Sequence, residues 1–397
     1  MLITSSLPTF KSFLAGVFLF ILIMLSGCQS TASSNGKAPE LSGIPKNPEL
    51  SIVEPTLNEM ALVVKEEDIF ALSEKQKEDF FTYFHSKILL NEPEHKIVSS
   101  YVEQRLSDFD YYGDTFIASE GLRGEKGNCM SLAVITSAYA KLLGLMMDYR
   151  LVLSQPVYEK SNGLVITSQH VQTRIFEPKK EKFFGFGSHV IVDYFPEFLQ
   201  VRGKYIKHNA FVSLFYQNMA GQYLNKGDVT LAYANAYQAY QLDPESSSAL
   251  NLLALASKHK GELAQAEKIY RYILEENADD LLSLNNYIIL LSAQGRVEEA
   301  MIYQEQLDSL YDPNPYNWID LAEKQLEQDL QLDALSSYNK AIRLAPYLQE
   351  PYIQAFRILM AQGQPMKAEH YLQSSLKWVF EPEQRAQIKY KLYGQNL

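Results

Sequence analysis

The chain has 397 residues, with 36 Lys and Arg against 47 Asp and Glu and a formal net charge of −11. Its length allows two or three domains, and its acidic balance lacks the basic footprint of a nucleic-acid-binding protein, so DNA and RNA are excluded as expected partners. Its two cysteines are too few for a disulfide framework or a cysteine-rich zinc site.

The N-terminus carries one basic residue followed by a short apolar run. Lys11 precedes the run, which covers residues 13–25 and is shorter than the roughly 20 residues needed to span a bilayer. A run of this length is typical of a signal peptide. It ends in the sequence LSGC at Cys28, which resembles the lipobox of bacterial lipoproteins.

The resemblance to a lipobox implies that residues 1–27 are removed and that Cys28 carries the lipid that holds the protein on a membrane. In that family an Asp directly after the cysteine favours retention in the inner membrane, but this chain has Gln29 there. We therefore expect the protein to be located at the outer membrane of the bacterial cell envelope and to face the periplasm. Residues 28–50, rich in Ser, Pro and Gly, are then a flexible tether. An uncleaved N-terminal anchor is the alternative.

Two helices are predicted after the tether. Ser73 and Gln76 have the spacing of a capping box. Pro93 suits the first turn of the second helix. Because strand-like runs follow these helices, residues 51–210 are predicted to form one domain of mixed α and β structure.

The second cysteine begins a further predicted helix. Cys129 follows Gly127 and Asn128, and Gly144 stands where a glycine commonly ends a helix. The residues that recur every four positions between these ends are apolar: Met130, Val134, Ala138 and Leu142. A helix N-terminus favours a thiolate over a thiol, so Cys129 is a candidate nucleophile. A small core cysteine is the alternative interpretation.

Two alternating runs after this helix predict a β-hairpin. The runs are residues 165–176 and 188–195, joined by a charged connection that contains glycines. A turn centred on residues 181–182 would place His170 directly opposite Asp193. Facing side chains lie about 4.5–5.5 Å apart at Cβ, so the carboxylate could orient the imidazole.

His189 is the rival candidate for the base. A nucleophilic thiolate needs a histidine and a third group that orients it. Asp193 lies four residues beyond His189 on the same predicted strand, about 13 Å away at 3.3 Å per residue. Because the carboxylate could not orient His189 over that distance, His170 is the preferred base.

The C-terminal half repeats with a period of 34 residues. Setting repeat starts at 213, 247, 281, 315 and 349 puts an alanine at the twentieth position of every unit and a glycine at the fifteenth position of four. The small residue lets the two helices of a unit approach, and the glycine permits the turn between them. The residues in register are Ala232, Ala266, Ala300, Ala334 and Ala368, and Gly227, Gly261, Gly295, Asp329 (the exception) and Gly363.

This period resembles the tetratricopeptide repeat. The resemblance implies five repeats over residues 211–381, an all-α solenoid, and a polar capping helix at 382–397. It also implies a groove that binds a protein or peptide, whose identity the sequence does not give.

The residues around Cys129 resemble the bacterial transglutaminase-like domain. The resemblance covers residues 110–210 and implies the papain-like α+β fold, in which a cysteine at a helix start packs against a small antiparallel sheet bearing His and Asp. The stretches that carry it are Thr115, Ala118, Leu122, the run GNCMSL at 127–132, His170-Val171 and the run VIVD at 190–193.

The same resemblance assigns chemistry to three residues. Cys129 is the nucleophile that attacks an amide of a protein or peptide, His170 the general base and acid, and Asp193 the orienting carboxylate. A thioester forms, and water or an amine resolves it. This mechanism needs no cofactor and no metal. Gly121, Gly124 and Gly127 lack the ending of a phosphate-binding loop and are predicted to be turn residues.

Two functions from different classes follow from these patterns. The first is a thiol acyltransferase, amidohydrolase or peptidase whose repeats recruit its protein substrate. The second is an inactive transglutaminase-like module whose repeats assemble an envelope protein complex. The complete set of thiol, imidazole and carboxylate favours the enzyme.

Overall fold

The computed structural model describes residues 50–105, 109–111, 113–161, 164–178, 188–192 and 203–379. The predicted signal peptide, Cys28, Asp193 and the predicted capping helix at 382–397 lie outside these residues. Within the described ranges, none of the helices combines the length and the apolar composition needed to cross a membrane.

The N-terminal part contains six helices among the described residues, three of which begin at or next to the residue that the sequence predicted. The Ser73 hydroxyl accepts a hydrogen bond from the Gln76 amide at 3.3 Å, and the Ser73 amide donates one to the Gln76 side-chain oxygen at 2.9 Å, which confirms the capping box. The helix predicted at Pro93 begins at the next residue. The bounds are α1 Leu57–Met60, α2 Glu66–Ile69, α3 Glu74–Ile88, α4 Glu94–Arg105, α5 Ala118–Gly124 and α6 Cys129–Leu142.

Gly121 and Gly124 are not turn residues, contrary to the prediction, because both lie in α5. A Cβ atom at Gly121 would stand 3.2 Å from the Cδ1 atom of Ile135. The glycine therefore lets α5 approach α6 closely.

Two small sheets accompany these helices. In the larger sheet, the predicted hairpin strands pair with two strands that the sequence did not reveal, in the order β5-β4-β3-β6 and antiparallel throughout. The smaller sheet has two parallel strands. The bounds are β1 Asp110–Tyr111, β2 Lys126–Gly127, β3 Met147–Ser161, β4 Leu164–Phe176, β5 His189–Val192 and β6 Gly203–Ile206.

Helix α6 is the centre of the N-terminal core. One face of β4 packs against it through Val171 and Ile175, both fully or almost fully buried. On another side, Tyr139 packs against the rings of Phe80 and Tyr101, with centroids 4.8 and 5.1 Å away. Because apolar groups surround α6, the helix that begins at Cys129 is rigidly held.

The C-terminal part is an array of five helical hairpins, which confirms the predicted helical-repeat region. The five in-register alanines are buried, as expected for the residue that brings the two helices of a hairpin together. The hairpins are α7 His208–Lys226 with α8 Val229–Leu242, α9 Ser247–Lys260 with α10 Leu263–Glu276, α11 Leu281–Ala293 with α12 Val297–Ser309, α13 Pro315–Glu327 with α14 Gln331–Leu344, and α15 Glu350–Ala361 with α16 Pro365–Leu376.

The turn inside each hairpin uses the left-handed backbone region. The four in-register glycines have φ between +70° and +89°, and Asp329, the exception in sequence, has φ +59°. Aspartate is among the few residues that tolerate this region. The fourth hairpin therefore keeps the same turn without a glycine.

Strands β3 and β4 form a hairpin arm that reaches the fourth repeat. Near its tip, the backbone amide of Tyr158 donates to the hydroxyl of Tyr347 at 2.5 Å, and Lys160 pairs with Asp320 at 3.1 Å. The Tyr158 side chain is buried in a cluster with residues of α13 and α14. The ladder of the arm is interrupted between Val152 and Val157.

Candidate functional site

Cys129 is the first residue of α6, as predicted, and it is 7% exposed. Its thiol is not in a disulfide. The preceding residue, Asn128, caps the helix because its side-chain oxygen accepts from the Ser131 amide at 3.1 Å. Asparagine is a preferred N-cap residue, so the sequence alone could have predicted this cap.

A closed set of hydrogen bonds fixes the start of α6. The Asn128 side-chain nitrogen donates to the Thr115 hydroxyl at 2.8 Å, and the Phe116 amide donates to the Ser131 hydroxyl at 2.8 Å. Gly127 precedes the cap with φ +152°, and a Cβ atom there would stand 2.6 Å from Ser131. The segment before α5 and the start of α6 are thus fastened together around Cys129.

The first repeat contacts this same segment. The Thr115 amide donates to the side-chain oxygen of Gln222 at 2.9 Å, and Lys226 pairs with Asp114 at 3.1 Å. Both repeat residues lie on α7. The surroundings of Cys129 are therefore built partly from the repeat array.

The register predicted for the hairpin of β4 and β5 is wrong. The prediction placed Thr173 opposite Val190, whereas the structure pairs Thr173 with Val192 and Phe176 with His189, a shift of two residues. His170 lies on β4 opposite Val152 of β3. Asp193 lies outside the described residues, so its position relative to His170 stays a prediction.

The described side of β4 that packs against α6 is buried, and it carries two apolar residues and one threonine. Val171 and Ile175 are buried there, and Thr173 between them is also fully buried. Arg174, at an alternating position, instead forms an ion pair with Asp148 of β3. The described contacts between α6 and β4 therefore serve packing.

His189, the rival base, lies at the far end of the ladder. It is exposed and pairs with Phe176, six positions along β4 from His170. At 3.3 Å per residue, that separation is about 20 Å. The two histidines therefore belong to different parts of the sheet.

His95 belongs to a partly buried polar cluster that the sequence analysis missed. It is fully buried on α4, and its Nε2 atom lies 3.3 Å from the Ser188 hydroxyl. Ser188 donates its proton to Glu177 at 2.5 Å, so the His95 Nε2 group must be the donor to Ser188. The Nδ1 atom is buried with no hydrogen-bond partner among the described residues.

Burial has the largest effect on the pKa of His95 and lowers it below the ordinary value of 6.5. The charge of Glu177 acts in the opposite direction and raises the pKa, whereas the charges of Lys96 and His189 lower it further. Protonation would place an N–H group on the Nδ1 atom, which has no acceptor among the described groups. The structure thus favours neutral His95.

The free energy of unfolding is expected to fall as the pH drops from 7 to 5. Below pH 6.5 the unfolded chain binds a proton at His95 that the folded protein resists, so acid shifts the equilibrium toward unfolding. Burial also lowers the pKa of His259, which adds to the effect. Urea unfolding of wild type and His95→Gln should show a shallower pH dependence in the variant, and identical slopes would contradict this assignment.

The comparisons with known proteins concern the helical repeats. No protein-family model matches the chain, and no characterised protein matches it by sequence. Among solved structures, it is similar to PilF of Pseudomonas aeruginosa at 21% identity, covering 48% of this chain and 86% of that one, with a TM-score of 0.33.

Two further solved structures show the same level of similarity. MamA of Desulfovibrio magneticus RS-1 is 11% identical, with coverage of 42% and 94% and a TM-score of 0.27. YrrB, described as a TPR protein with an unusual peptide-binding site, is 14% identical, with coverage of 45% and 91% and a TM-score of 0.25. Similarity at this level does not assign a function to the chain.

Within the described residues, no group of three or more His, Cys, Asp or Glu side chains is placed to hold a metal ion. A surface cavity of about 510 Å³ lies between the end of α6 and β6. Lys141, Tyr149 and His208 are among the residues that line it. Cys129 lies at the opposite end of α6, about 20 Å away along the helix axis, so this cavity does not open on the thiol.

Proposed function

We propose that this chain is an interaction scaffold of the bacterial cell envelope whose helical repeats bind a protein or peptide. The observation that carries the proposal is a group of exposed apolar side chains on the third repeat. Val297 and Met301 lie four residues apart on α12, and so on one face of it. The group consists of Leu282, Ile289, Val297, Met301 and Ile302.

Exposed apolar groups of this kind support a binding role. Single exposed apolar residues are common on monomeric proteins, whereas five on the two helices of one hairpin are a local concentration of the kind that interaction sites show. Stacked helical hairpins also give extended surfaces suited to protein ligands.

A photo-reactive amino acid at Met301 tests this proposal in cells. We expect a covalent adduct with a partner protein at this position, because the side chain is 56% exposed within the apolar group. The same probe at Met366, 86% exposed on the fifth repeat, is the matched control. Ile289→Glu should remove the adduct at 301. Equal adducts at both positions, or none at 301, would count against the third repeat as a binding surface.

A second candidate function is acyl transfer at Cys129. It is favoured by the position of the thiol at the first turn of α6, which is a common position for a nucleophilic cysteine, and by the transglutaminase-like residues around it. In this scheme the Cys129 Sγ atom attacks an amide carbonyl carbon, and His170 protonates the leaving amine. Water or a second amine then cleaves the thioester and frees the thiol. The burial of Cys129 and the apolar contacts between α6 and β4 favour the scaffold instead.

Alkylation of Cys129 separates the two candidates. If Cys129 is activated, iodoacetamide should label it fast well below pH 8, and His170→Ala should slow the labelling at least about tenfold, since a thiolate–imidazolium pair is lost. Cys28→Ser makes Cys129 the only thiol of the full chain. Slow labelling, with the pH dependence of an ordinary thiol and no response to His170→Ala, would leave the scaffold as the function.

The proposed location is the outer membrane, with the chain held by a lipid on Cys28 and facing the periplasm. The LSGC sequence and the apolar run at 13–25 support it. The partner would then be another envelope protein or peptide.

A further inference from the structure

The residues that follow the predicted tether are bound along the first two repeats. Residues 50–56, which we call the N-terminal strap, have no helix or strand structure. The strap contacts α8 and α10 through Val53, which lies 212 residues before its partner Gln265. A segment of this kind resembles a bound peptide more than a connecting loop.

Both backbone polar groups of Val53 are bound by buried side chains of the repeats. The Val53 amide donates to the Gln265 side-chain oxygen at 2.8 Å, and the Tyr233 hydroxyl donates to the Val53 carbonyl at 2.5 Å. The Gln265 side-chain nitrogen donates to the Tyr233 hydroxyl at 2.7 Å and to the Ser257 hydroxyl at 2.9 Å. These bonds form a closed ring that holds the backbone of one residue.

The side chain of Val53 takes little part in this binding, because it is 53% exposed. Binding at this position therefore depends on the backbone and not on the identity of the residue. The repeat residues are already fixed by their own hydrogen bonds, so little conformational freedom is lost when a peptide binds them.

The neighbours of Val53 supply the apolar and charged contacts. Leu50 and Ile52 pack against the buried cluster of the first two repeats, and Pro55 is buried. Further along, Lys260 pairs with Glu59 at 3.4 Å and lies 4.5 Å from the centre of the Tyr233 ring. The ligand chemistry is thus an extended segment with apolar residues at alternate positions and an acidic residue after them.

We propose that Tyr233, Ser257 and Gln265 form a peptide-binding site that the chain fills with its own strap, and that an extended apolar peptide of a partner binds there by displacing it. The inference rests on the proposed binding function of the repeats and is independent of Cys129. Because the strap is tethered, its effective concentration is on the order of millimolar, so it competes strongly with a free peptide. A partner peptide must therefore bind the site more strongly than the tethered strap does before it can displace the strap.

A labelled peptide with the sequence of residues 50–56, LSIVEPT, tests the proposal by fluorescence anisotropy on the full chain. Ile52→Asp places a charge on the apolar contact and should release the strap. Ser51→Asp adds the same charge to the exposed neighbouring side chain and should leave the strap bound. We expect Ile52→Asp to bind the peptide at least about tenfold more tightly than wild type or Ser51→Asp. The same peptide with an N-methylated valine, which lacks the amide proton, should not bind.

The proposal fails if folded Ile52→Asp, as judged by circular dichroism, binds the peptide no better than Ser51→Asp, or if the N-methylated peptide binds equally well. If Ile52→Asp does not fold, hydrogen exchange of the wild type tests the proposal instead. Exchange in residues 50–56 at least about 100-fold faster than in α8 and α10 would show that the strap leaves while the repeats stay folded. Exchange of all three segments at one rate would overturn the proposal. Loss of the adduct at Met301 would instead count against the third repeat as a binding surface. Failure of the strap proposal and failure of the proposed function are therefore distinguishable.

Discussion

Gly127→Ala is expected to destabilise the protein by about 2–4 kcal/mol, because two separate costs add at this position. The backbone at Gly127 has φ +152°, which L side chains rarely adopt. The added Cβ atom would also stand 2.6 Å from the Cβ and Oγ atoms of Ser131 and 3.3 Å from the ring of Phe109. Ser131 cannot move freely, since its hydroxyl accepts from the Phe116 amide.

The displaced residue is in the first turn of α6, so the variant should also expose Cys129. Urea unfolding measures the loss of stability, and the alkylation rate of Cys129 measures the exposure. Gly113→Ala is the matched control, because a Cβ atom there meets nothing within 4 Å. Equal stability of the two variants would mean that the start of α6 is not held as the structure describes.

Cys28→Ser is expected to abolish lipid attachment completely. A serine lacks the thiol to which the proposed lipid would attach, so labelled palmitate should enter wild type and not the variant. The variant should also keep residues 1–27, which intact-mass measurement would detect as a heavier chain. Its anchor would then be the apolar run at 13–25.

Cys129→Ser is the control for this experiment, because it removes the other cysteine of the chain. It should incorporate palmitate as wild type does. Unchanged labelling and mass in Cys28→Ser would favour the alternative of an N-terminal anchor that is never cleaved.

The repeat array was predictable because the residues that its packing requires recur at a fixed spacing in the sequence. Every hairpin needs a small residue between its helices and a left-handed residue in its turn, so Ala232 and Gly227 recur at the same interval through the array. Asp329 shows the limit of such a pattern, since its side chain differs while its backbone conformation does not.

The register of β4 and β5 was not predictable from alternation alone. Side chains alternate with a period of two, so a shift of two residues leaves every side chain on the same face of the sheet. The pairings of Thr173 with Val190 and with Val192 therefore fit the sequence equally well. The ladder observed, with Val192, differs only in which residues face each other.

Strand β3 was missed because Pro156 interrupts it. Proline cannot donate a hydrogen bond to a ladder and is found at bulges or edges. In the structure Pro156 lies between Val152 and Val157, where the pairing with β4 is interrupted. The proline therefore marks a break within one long strand and not the end of it.

The contact between Val53 and Gln265 could not be predicted either, because it joins residues 212 positions apart through the backbone of one of them. A backbone group has no sequence signature. Such contacts become visible only when the fold brings the two segments together.

The hairpin arm has a mechanical consequence for the repeat array. In a solenoid each repeat contacts only its neighbours, so the array can bend along its length. The arm joins the sheet, which packs on α7, to the fourth repeat through Tyr158 and Tyr347. Bending of the first four repeats must therefore either pull Tyr158 from its cluster or fold the arm at its interruption near Pro156. The arm thus acts as a strut between the sheet and the fourth repeat, and it limits the bending of the repeats in between.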